Sequence, residues 1–555
     1  MLSLLATHII ITASSLLSGV LLYSLFDKPI AAKPTVFYLI SGLVLLTSVT
    51  QLLLLFFPIG SYIQLFVFTI LFFLLLFKWD TYKIIFKNIL SGLSSWSVFS
   101  TVLFFISWAC ILLINAGPVL MDDTESYHLQ SIKWIQEYGS VPGLVNLHER
   151  FGFNTSWFGS IALFNLFPNT TGGFTALNSV ISLWLCYYFI SKYEQYKKEN
   201  NFSAAFAILV IFICCLVIWP LIRGNAATAN YDFITTLIVL IFFTEIYFSK
   251  QFSPSAEWII WPAYLFTVRI INFPLLLLSF IGVIYFMKQK NTRSLLFPIA
   301  YSLLLIIPFV VRNIIISGYP FYPSTSFDMI SFDWKPDPQM TERLLEYIKY
   351  YNRVSTTYLE IEQTKALGPN WIPSWFGYLF LFNKLLVAGG TAGIILSIIK
   401  LFIQKNRTTL SVISVCIGSI ICWFILSPDP RFIYGILVFG IFLLVYHFIS
   451  WLRNEQIIKA ASTILLIAML PGSTYYFISK LWKQPEYRNW VLPSKLPQPP
   501  VKEFIIDGIT FKIPEPINNN WNARCYGTEL PCLYKPDPRL KPRGKDIRDG
   551  FRLEK

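Results

Sequence analysis

Long apolar stretches recur along nearly the whole chain, and they limit its possible folds more than any other feature of the sequence. Of the 555 residues, 55% are hydrophobic and only 13% are charged. A soluble protein of this length could not cover its surface with so few charged side chains. The sequence therefore predicts an all-α, polytopic membrane protein, which we expect in the cell (inner) membrane.

A helix needs about 20 mostly apolar residues to cross a bilayer. By that measure the sequence predicts about 14 spans, counted over apolar runs of sufficient length. They lie at 3–26, 34–57, 60–77, 97–116, 171–190, 202–220, 229–248, 255–270, 271–287, 294–316, 377–402, 408–427, 431–452 and 457–478. The apolar segment 154–168 is shorter and ends at Pro168, which indicates a re-entrant or interfacial helix.

The distribution of basic residues predicts which loops are cytoplasmic, because short cytoplasmic loops are enriched in lysine and arginine. Six loops carry such residues: Lys28 and Lys33; Lys78, Lys83 and Lys87; Lys192, Lys197 and Lys198; Lys288, Lys290 and Arg293; Lys405 and Arg407; Arg453 and Lys459. All six fit one topology if the segment 154–168 does not cross. Both termini, loop 117–170, loop 317–376 and the tail from about residue 480 then face the extracytoplasmic side.

Two of these predicted extracytoplasmic segments, loop 317–376 and the tail, have recognisable sequence patterns. Loop 317–376 contains a predicted helix at 341–358 and an aromatic run at 371–378. The tail is too short and irregular for a sizeable core of its own, so we expect it to lie on the membrane domain. Cys525 and Cys532 flank a short loop, which suits a local disulfide in an oxidising compartment.

Ionisable residues gather directly after the span 97–116. Asp122, Asp123, Glu125 and His128 follow Gly117 and Pro118, and His148 and Arg150 come later in the same loop. Ionisable groups at a membrane face are costly to desolvate and usually bind or react with something. The alternative is a solvated helix N-terminus, with the two aspartates placed favourably at its positive end.

The carboxylates of Asp122, Asp123 and Glu125 are hard oxygen ligands, so a divalent cation such as Mg²⁺ or Mn²⁺ is a possible cofactor. Zinc-type histidine and cysteine spacing is absent from the sequence. So are a Walker A loop, a dinucleotide fingerprint and a Gly-x-Ser-x-Gly elbow. A nucleotide sugar is therefore not expected as the direct donor. Nucleic acid is not expected as a partner, because much of the net charge of +14 lies in short loops.

At this acidic cluster the chain resembles the GT-C superfamily of membrane glycosyltransferases, which includes protein O-mannosyltransferases and the lipid A aminoarabinose transferase. In that superfamily an outward-running helix is followed by an acidic motif with an aromatic residue four positions on, then by an amphipathic jaw helix and a second interfacial helix. Asp123 and Tyr127 have that spacing. The segments 131–138 and 154–168 are similar in position to the two helices.

Further points of resemblance lie downstream. Asp232 opens a span, Arg312 precedes the loop that begins at Gly318, and Arg431 starts a span after Pro428-Asp-Pro. The resemblance covers about residues 97–320. It divides the chain into an N-terminal three-helix membrane segment at 1–96, a catalytic membrane module at 97–320, an extracytoplasmic loop at 321–376, C-terminal membrane helices at 377–479, and a tail at 480–555.

The resemblance implies transfer of a sugar from a polyprenyl-phosphate donor to a glycan, lipid or protein acceptor. Asp123, followed by Asp122, would be the catalytic carboxylate that deprotonates or orients the acceptor hydroxyl. Cations would stabilise the leaving phosphate. Four arginines at predicted outer ends of spans are candidates, although each could instead anchor its helix among lipid headgroups: Arg223, Arg269, Arg312 and Arg431. The implied substrate-binding residues are Glu125, His128, His148, Arg150, Asp232, Arg269, Arg312 and Arg431.

Other functions remain open on the sequence. The three N-terminal spans and the cysteine-containing tail depart from the best-known GT-C members, which leaves the acceptor undefined. A lipid-linked oligosaccharide flippase or transporter usually shows related halves and polar residues near mid-bilayer. An O-antigen polymerase or ligase commonly relies on loop arginines and a histidine. A catalytically silent scaffold is the remaining alternative.

Overall fold

A computed structural model describes most of the chain, namely residues 1–26, 33–249, 251–290, 292–328, 330–353, 361–452, 454–483, 491–515, 524–533 and 536–554. Lys28, Arg453 and the C-terminal part of the helix predicted at 341–358 lie outside the described residues.

Helices form almost all of the regular structure in these ranges. In chain order they are α1 Leu2–Phe26, α2 Thr35–Leu54, α3 Ser61–Phe77, α4 Trp79–Ser94, α5 Val98–Ala116, α6 Leu129–Glu137, α7 Ser156–Phe164, α8 Thr171–Lys198, α9 Phe202–Val217, α10 Ile222–Asn225, α11 Asp232–Tyr247, α12 Glu257–Val268, α13 Leu276–Lys288, α14 Thr292–Ser317, α15 Pro338–Tyr351, α16 Ile361–Ala366, α17 Trp371–Tyr378, α18 Leu381–Ile403, α19 Arg407–Leu426, α20 Tyr434–Leu452 and α21 Glu455–Lys483.

The helices confirm a multi-pass α-helical membrane protein but not the predicted number of spans. Ten segments in the described part are long and apolar enough to cross a membrane, or up to 11 if the bent pair α3–α4 is one span. The predicted spans at 60–77, 202–220, 229–248 and 255–270 contain helices of only 17, 16, 16 and 12 residues. A helix of the last length reaches about 18 Å, well below the roughly 30 Å of a hydrocarbon core.

The basic segment after α3 is a helix, where the sequence analysis treated it as a loop. α4 bends away from α3 by 89°. Its Tyr82 is buried and donates a hydrogen bond to the carbonyl oxygen of Leu17 (3.2 Å), while Lys83 and Lys87 are exposed. An amphipathic helix at a right angle to an apolar one is typical of a segment lying along a membrane surface.

Glycines bring α1 and α2 into close contact. A Cβ atom on Gly19 would lie 1.9 Å from the carbonyl oxygen of Tyr38, and one on Gly42 would lie 1.7 Å from that of Ser15. α18 and α20 meet in the same way, since a Cβ on Gly393 would lie 1.8 Å from the carbonyl oxygen of Gly440. Small residues at such crossings allow backbones to approach closely, which is a principal source of stability between membrane helices.

The segment predicted as re-entrant forms α7, and each of its 9 residues is buried. A helix of that length covers about 14 Å and cannot cross a bilayer. It packs among α2, α6 and α8. The indole of Trp157 donates to Asn178 (2.9 Å), whose own amide donates to the carbonyl of Asn230 (2.9 Å). These bonds fix the chain just before Asp232.

The tail contains strands, which an all-α prediction did not include. Strands β1 Val501–Ile506 and β2 Ile509–Pro514 form an antiparallel hairpin, and β3 Leu540–Pro542 pairs with β4 Phe551–Leu553. Buried residues of the tail and of loop 117–170 form one shared hydrophobic cluster, which includes Tyr127, Trp134, Phe151, Phe511, Leu533 and Phe551. The described part of the tail therefore shares its main hydrophobic cluster with the loop, on which it lies.

Candidate active site

The carboxylate of Asp123 lies between two guanidinium groups. Its Oδ1 is 3.3 Å from Nη1 of Arg150, and its Oδ2 is 3.1 Å from Nη1 of Arg431. All three side chains are partly accessible, with 23% of Asp123 and 33% of each arginine exposed. A carboxylate and two cations from distant parts of the chain thus meet at a surface that a substrate could reach.

Asp123 belongs to a helical segment that continues into α6 through a π-helical turn at Thr124–His128. Such turns are rare and frequently occur at functional sites. The hydroxyl of Thr124 accepts the backbone N–H of Ala229 (3.2 Å) and contacts Nδ1 of His128 at 3.2 Å. The ring of His128 packs against Tyr127, Phe158 and Tyr231. Packing with α7 and the segment before α11 therefore holds the motif.

A second ion pair lies beside the first. Asp232, the first residue of α11, accepts a hydrogen bond from Arg269, which directly follows α12. The guanidinium of Arg269 lies over the ring of Phe432 at 3.5 Å from its centroid. The hydroxyls of Tyr231 and Tyr127 are 3.4 Å apart. Tyr231 and Tyr127, which lie beside the two aspartates, are thus in contact. We refer to Asp123, Arg150, Arg431, Asp232 and Arg269 as the charged cluster.

The segment before α20 is braced so that Arg431 points at Asp123. The carboxylate of Asp429 accepts the backbone N–H of Arg431 (3.0 Å) and lies 2.9 Å from its Nε. The indoles of Trp375 and Trp423 donate to the carbonyls of Pro428 (2.8 Å) and Asp429 (2.7 Å). The aromatic run at 371–378 therefore supports this turn through Trp375, and α19 supports it through Trp423.

The electrostatic surroundings keep Asp123 ionised. Burial raises the pKa of its carboxyl, but the charges of Arg431 and Arg150 outweigh burial, so that the pKa lies below its ordinary value. Burial lowers the pKa of His128 to about 3, which leaves this ring neutral at physiological pH. Asp123 is thus a permanent anion and a weak proton acceptor in this state.

The other two carboxylates of the motif face a different partner. Arg524 of the tail donates to Glu125, and its Nη2 lies 3.1 Å from Oδ1 of Asp122. The three acidic side chains therefore do not converge. Among the described residues, no group of three or more histidine, cysteine, aspartate or glutamate side chains is placed to hold a metal ion. The arrangement does not fit the divalent cation considered from the sequence.

Two further predicted residues lie outside the charged cluster. Arg312 is buried and donates to Asn154, whose amide in turn donates to the carbonyl of Phe309 (3.0 Å). Nδ1 of His148 accepts the backbone N–H of Arg150 (3.0 Å). Burial lowers the pKa of His148 to about 4, and the charge of Arg150 makes a smaller contribution in the same direction. His148 shapes the backbone beside Arg150, whereas Arg312 braces α14.

Arg223, another arginine expected at an outer helix end, stacks on the rings of Trp219 and Tyr476 and donates to the carbonyl of Val217. Cys525 and Cys532 form a disulfide with their Cα atoms 6.0 Å apart.

A small apolar groove, with a cavity of about 20 Å³, begins next to the charged cluster. It is lined by residues of α11, α19, α20 and the 3₁₀ turn that precedes α13, among them Thr235, Ile271, Leu275, Trp423, Phe432 and Gly435. Phe432 belongs both to this groove and to the stack on Arg269. A ligand with a charged head and an apolar chain could therefore contact both regions together.

Residues 1–438 match a family model described as a domain of unknown function, DUF8201. The chain belongs to this family. No curated protein and no solved structure matches it. Asp123, Arg150, Asp232, Arg269 and Arg431 all lie within the matched region, whereas Arg524 and the disulfide lie beyond it.

Sequence reasoning missed three contributors. Arg524 carries no local signal, because its partners are 399 and 402 positions away. The sequence places Asp429 in a turn between two prolines. An acid two positions before a candidate arginine could have indicated that it orients the arginine. Tyr231 directly precedes Asp232, so an aromatic residue beside a candidate acid could have indicated it.

Proposed function

We propose that this protein is an integral membrane glycosyltransferase that transfers a sugar from a polyprenyl-phosphate donor to an acceptor on the extracytoplasmic side. The observation that carries the proposal is the position of Asp123 between Arg150 and Arg431, at the end of a span and partly accessible. It combines an anion that can hold an acceptor hydroxyl with cations that can hold a phosphate.

The reaction is a displacement at the anomeric carbon. A bond forms between the acceptor oxygen and that carbon, and the bond between the carbon and the phosphate oxygen breaks. The donor phosphodiester carries one negative charge. When the carbon–oxygen bond breaks, its electron pair stays on the phosphate oxygen, so the released polyprenyl phosphate carries two negative charges until it takes up a proton. Guanidinium groups beside the leaving oxygen stabilise this growing charge.

The lowered pKa of Asp123 limits its role at the start of the reaction. In the resting cluster, Asp123 accepts a hydrogen bond from the acceptor hydroxyl and orients it, because a strongly stabilised carboxylate is a poor base. As Arg431 shifts toward the leaving phosphate, Asp123 loses part of its stabilising charge and its pKa rises. The proton then passes to Asp123 and finally to solvent or the released phosphate.

The balance of charges is consistent with such an exchange. Asp123, Asp232 and Asp429 face Arg150, Arg269 and Arg431, so three negative charges meet three positive ones. A phosphate binds here by sharing arginines that the aspartates already hold. The aspartates therefore keep the guanidinium groups oriented before the donor arrives.

We propose that the groove beside Phe432 widens to receive the start of the lipid part of the donor. Its lining is mostly apolar, and it opens next to the guanidinium of Arg269. A polyprenyl chain in this groove would place its phosphate near the arginines. Burial of the apolar chain contributes binding free energy. The charged head contributes less, because it exchanges contacts with water for contacts with the arginines.

The test is release of polyprenyl phosphate by the purified protein in lipid nanodiscs, using short-chain polyprenyl-phosphate hexoses as donors. Wild type should release the lipid phosphate in the presence of a membrane extract as acceptor source, and Asp123→Asn should not. Asp80→Asn is the matched control, because Asp80 is exposed on α4. Equal release by wild type and Asp123→Asn from every donor tried would refute the proposed site.

A deletion strain offers a second measurement. Loss of the enzyme should cause a lipid-linked sugar to accumulate and one envelope glycan to lose a sugar. A strain in which the lipid-linked sugar accumulates only on the cytoplasmic leaflet would instead favour a flippase.

A further inference from the structure

The disulfide-closed loop 525–532 of the tail lies directly on α6. The amide of Gln130 donates to the carbonyl of Tyr526 (3.0 Å). The ammonium group of Lys133 donates to the carbonyls of Thr528 (2.6 Å) and Gly527 (3.3 Å). Successive carbonyls of one short loop thus receive donors from successive turns of one helix.

Arg524, the residue before this loop, reaches the start of the same helical segment. It donates to Glu125 and also contacts Asp122. Only 15% of the Arg524 side chain and 19% of Glu125 are exposed, whereas 85% of Asp122 is exposed. The bond to Glu125 is therefore the stronger one, since exposed pairs contribute little.

Several features indicate that this contact is a built part of the fold. Lys133 is buried, and its ammonium group finds its carbonyl partners in the loop. Tyr526 has a φ of 40°, a left-handed conformation that costs energy in a residue with a side chain and persists only where the surroundings impose it. Phe511 and Leu533 of the tail share a hydrophobic cluster with Trp134 of α6.

We propose that Arg524 and the disulfide loop form a clamp that positions the Asp123 motif against Arg150 and Arg431. Arg524 holds Glu125 and Asp122 on the tail side of the helical segment, so that Asp123 alone faces the two arginines. The loop holds the following turns of α6. Arg524 is thus a positioning residue, and its catalytic consequence rests on the proposed function.

Hydrogen exchange of the full-length protein in nanodiscs tests the clamp without any substrate. Arg524→Ala should raise exchange in peptides covering 122–133 by roughly tenfold, because it removes a charge-assisted bond. Reducing the disulfide should raise exchange in the same peptides. Arg539→Ala is the matched control, because Arg539 is a tail arginine, half exposed, that pairs with Asp537 beside it.

A double variant separates positioning from general loss of structure. In a Glu125→Gln background, Arg524→Ala should add little further exchange, because the partner of the guanidinium is already neutral. Arg524→Lys should recover part of the protection. Exchange in 122–133 that stays at the wild-type level in both Arg524→Ala and the reduced protein would overturn the clamp.

Turnover then connects the clamp to catalysis. If wild type transfers sugar, Arg524→Ala should lower kcat about tenfold with a smaller change in the donor KM, and Arg524→Lys should restore part of kcat. Altered exchange without turnover in wild type would refute the proposed function while supporting the clamp. Unaltered exchange with turnover in wild type would do the reverse.

Discussion

A buried ion pair and the charged cluster lie at opposite ends of α12, and their carboxylates differ in what surrounds them. Glu257 begins this helix, and Arg269, the partner of Asp232 in the charged cluster, follows its last residue. Glu257 accepts from Lys33 (2.7 Å) and from the hydroxyl of Tyr23 (2.6 Å), and only 4% of its side chain is exposed. Asp123, in the charged cluster, is 23% exposed.

The difference separates a structural ion pair from a candidate site. The partners of Glu257 cover nearly all of its side chain, and the pair with Lys33 joins the start of α2 to α12. Asp123 instead bridges two guanidinium groups that each retain 33% of their exposure. Burial and charge pairing alone therefore do not indicate function, whereas a shared carboxylate with accessible partners does.

Removing the enclosed carboxylate should have the largest effect on stability. Glu257→Gln leaves the Lys33 ammonium uncompensated, at a cost of about 3 kcal/mol, the low end for breaking a buried pair. We expect a lower thermal midpoint and yield in detergent, with unchanged activity per folded molecule. Glu342→Gln on the exposed face of α15 is the control. Full stability of Glu257→Gln would show that its pair with Lys33 does not stabilise the fold.

Asp123→Asn should give the opposite result. It keeps the volume of the side chain but removes the charge between the two arginines. We expect sugar transfer to fall by at least about 100-fold, the low end for loss of an acid–base group, with normal insertion and thermal midpoint. That factor corresponds to about 2.7 kcal/mol in the transition state. Near-wild-type turnover in both Asp123→Asn and Asp122→Asn would exclude the motif as the catalytic site.

Local patterns in the sequence were sufficient to predict much of this site. The ionisable loop after an apolar span indicated Asp123 and Arg150, and an arginine at the start of a span indicated Arg431. The structure brings these three side chains together. The helices α6 and α7 also lie close to their predicted positions. Each of these signals depends on residues that are neighbours along the chain.

What the sequence could not show depends on distant contacts. Arg524 meets Glu125 across 399 residues, and no periodicity encodes that pairing. The sequence placed Asp122 beside Asp123 as a second candidate, but helical geometry turns the neighbouring side chains to different partners. Hydropathy likewise could not distinguish a full span from the short helices α9, α11 and α12. A helix buried among other helices is as rich in apolar residues as one that crosses the membrane.

The pH dependence of stability should report on the aromatic surroundings of His128. Its folded pKa of about 3 lies below the ordinary value of 6.5, so the unfolded chain binds a proton first as the pH falls. The stability contributed by the neutral ring is complete above pH 6.5 and declines toward pH 3. Between pH 7 and 5 the loss is about 2 kcal/mol.

His128→Gln should therefore reduce the fall in thermal midpoint between pH 7 and 5. His148→Gln should reduce it by nearly the same amount, because the folded pKa of about 4 at that ring also lies below pH 5. An identical pH profile for wild type and His128→Gln would show that this ring takes up its proton in the folded protein, which would contradict its enclosure.

Replacing Arg431 by lysine should have the smallest effect and the most specific one. The guanidinium uses Nη1 toward Asp123 and Nε toward Asp429, and a single ammonium group cannot reproduce that spacing. We expect donor affinity to fall about tenfold, or about 1.4 kcal/mol, with protein yield unchanged. Binding of a short-chain polyprenyl-phosphate hexose by calorimetry measures this, with Arg407→Lys at the start of α19 as the control.

Equal affinities in wild type and Arg431→Lys would make Arg431 a structural partner of Asp123, in the same sense that Lys33 is a partner of Glu257. Arg269, stacked on Phe432 at the mouth of the apolar groove, would then be the next arginine to test.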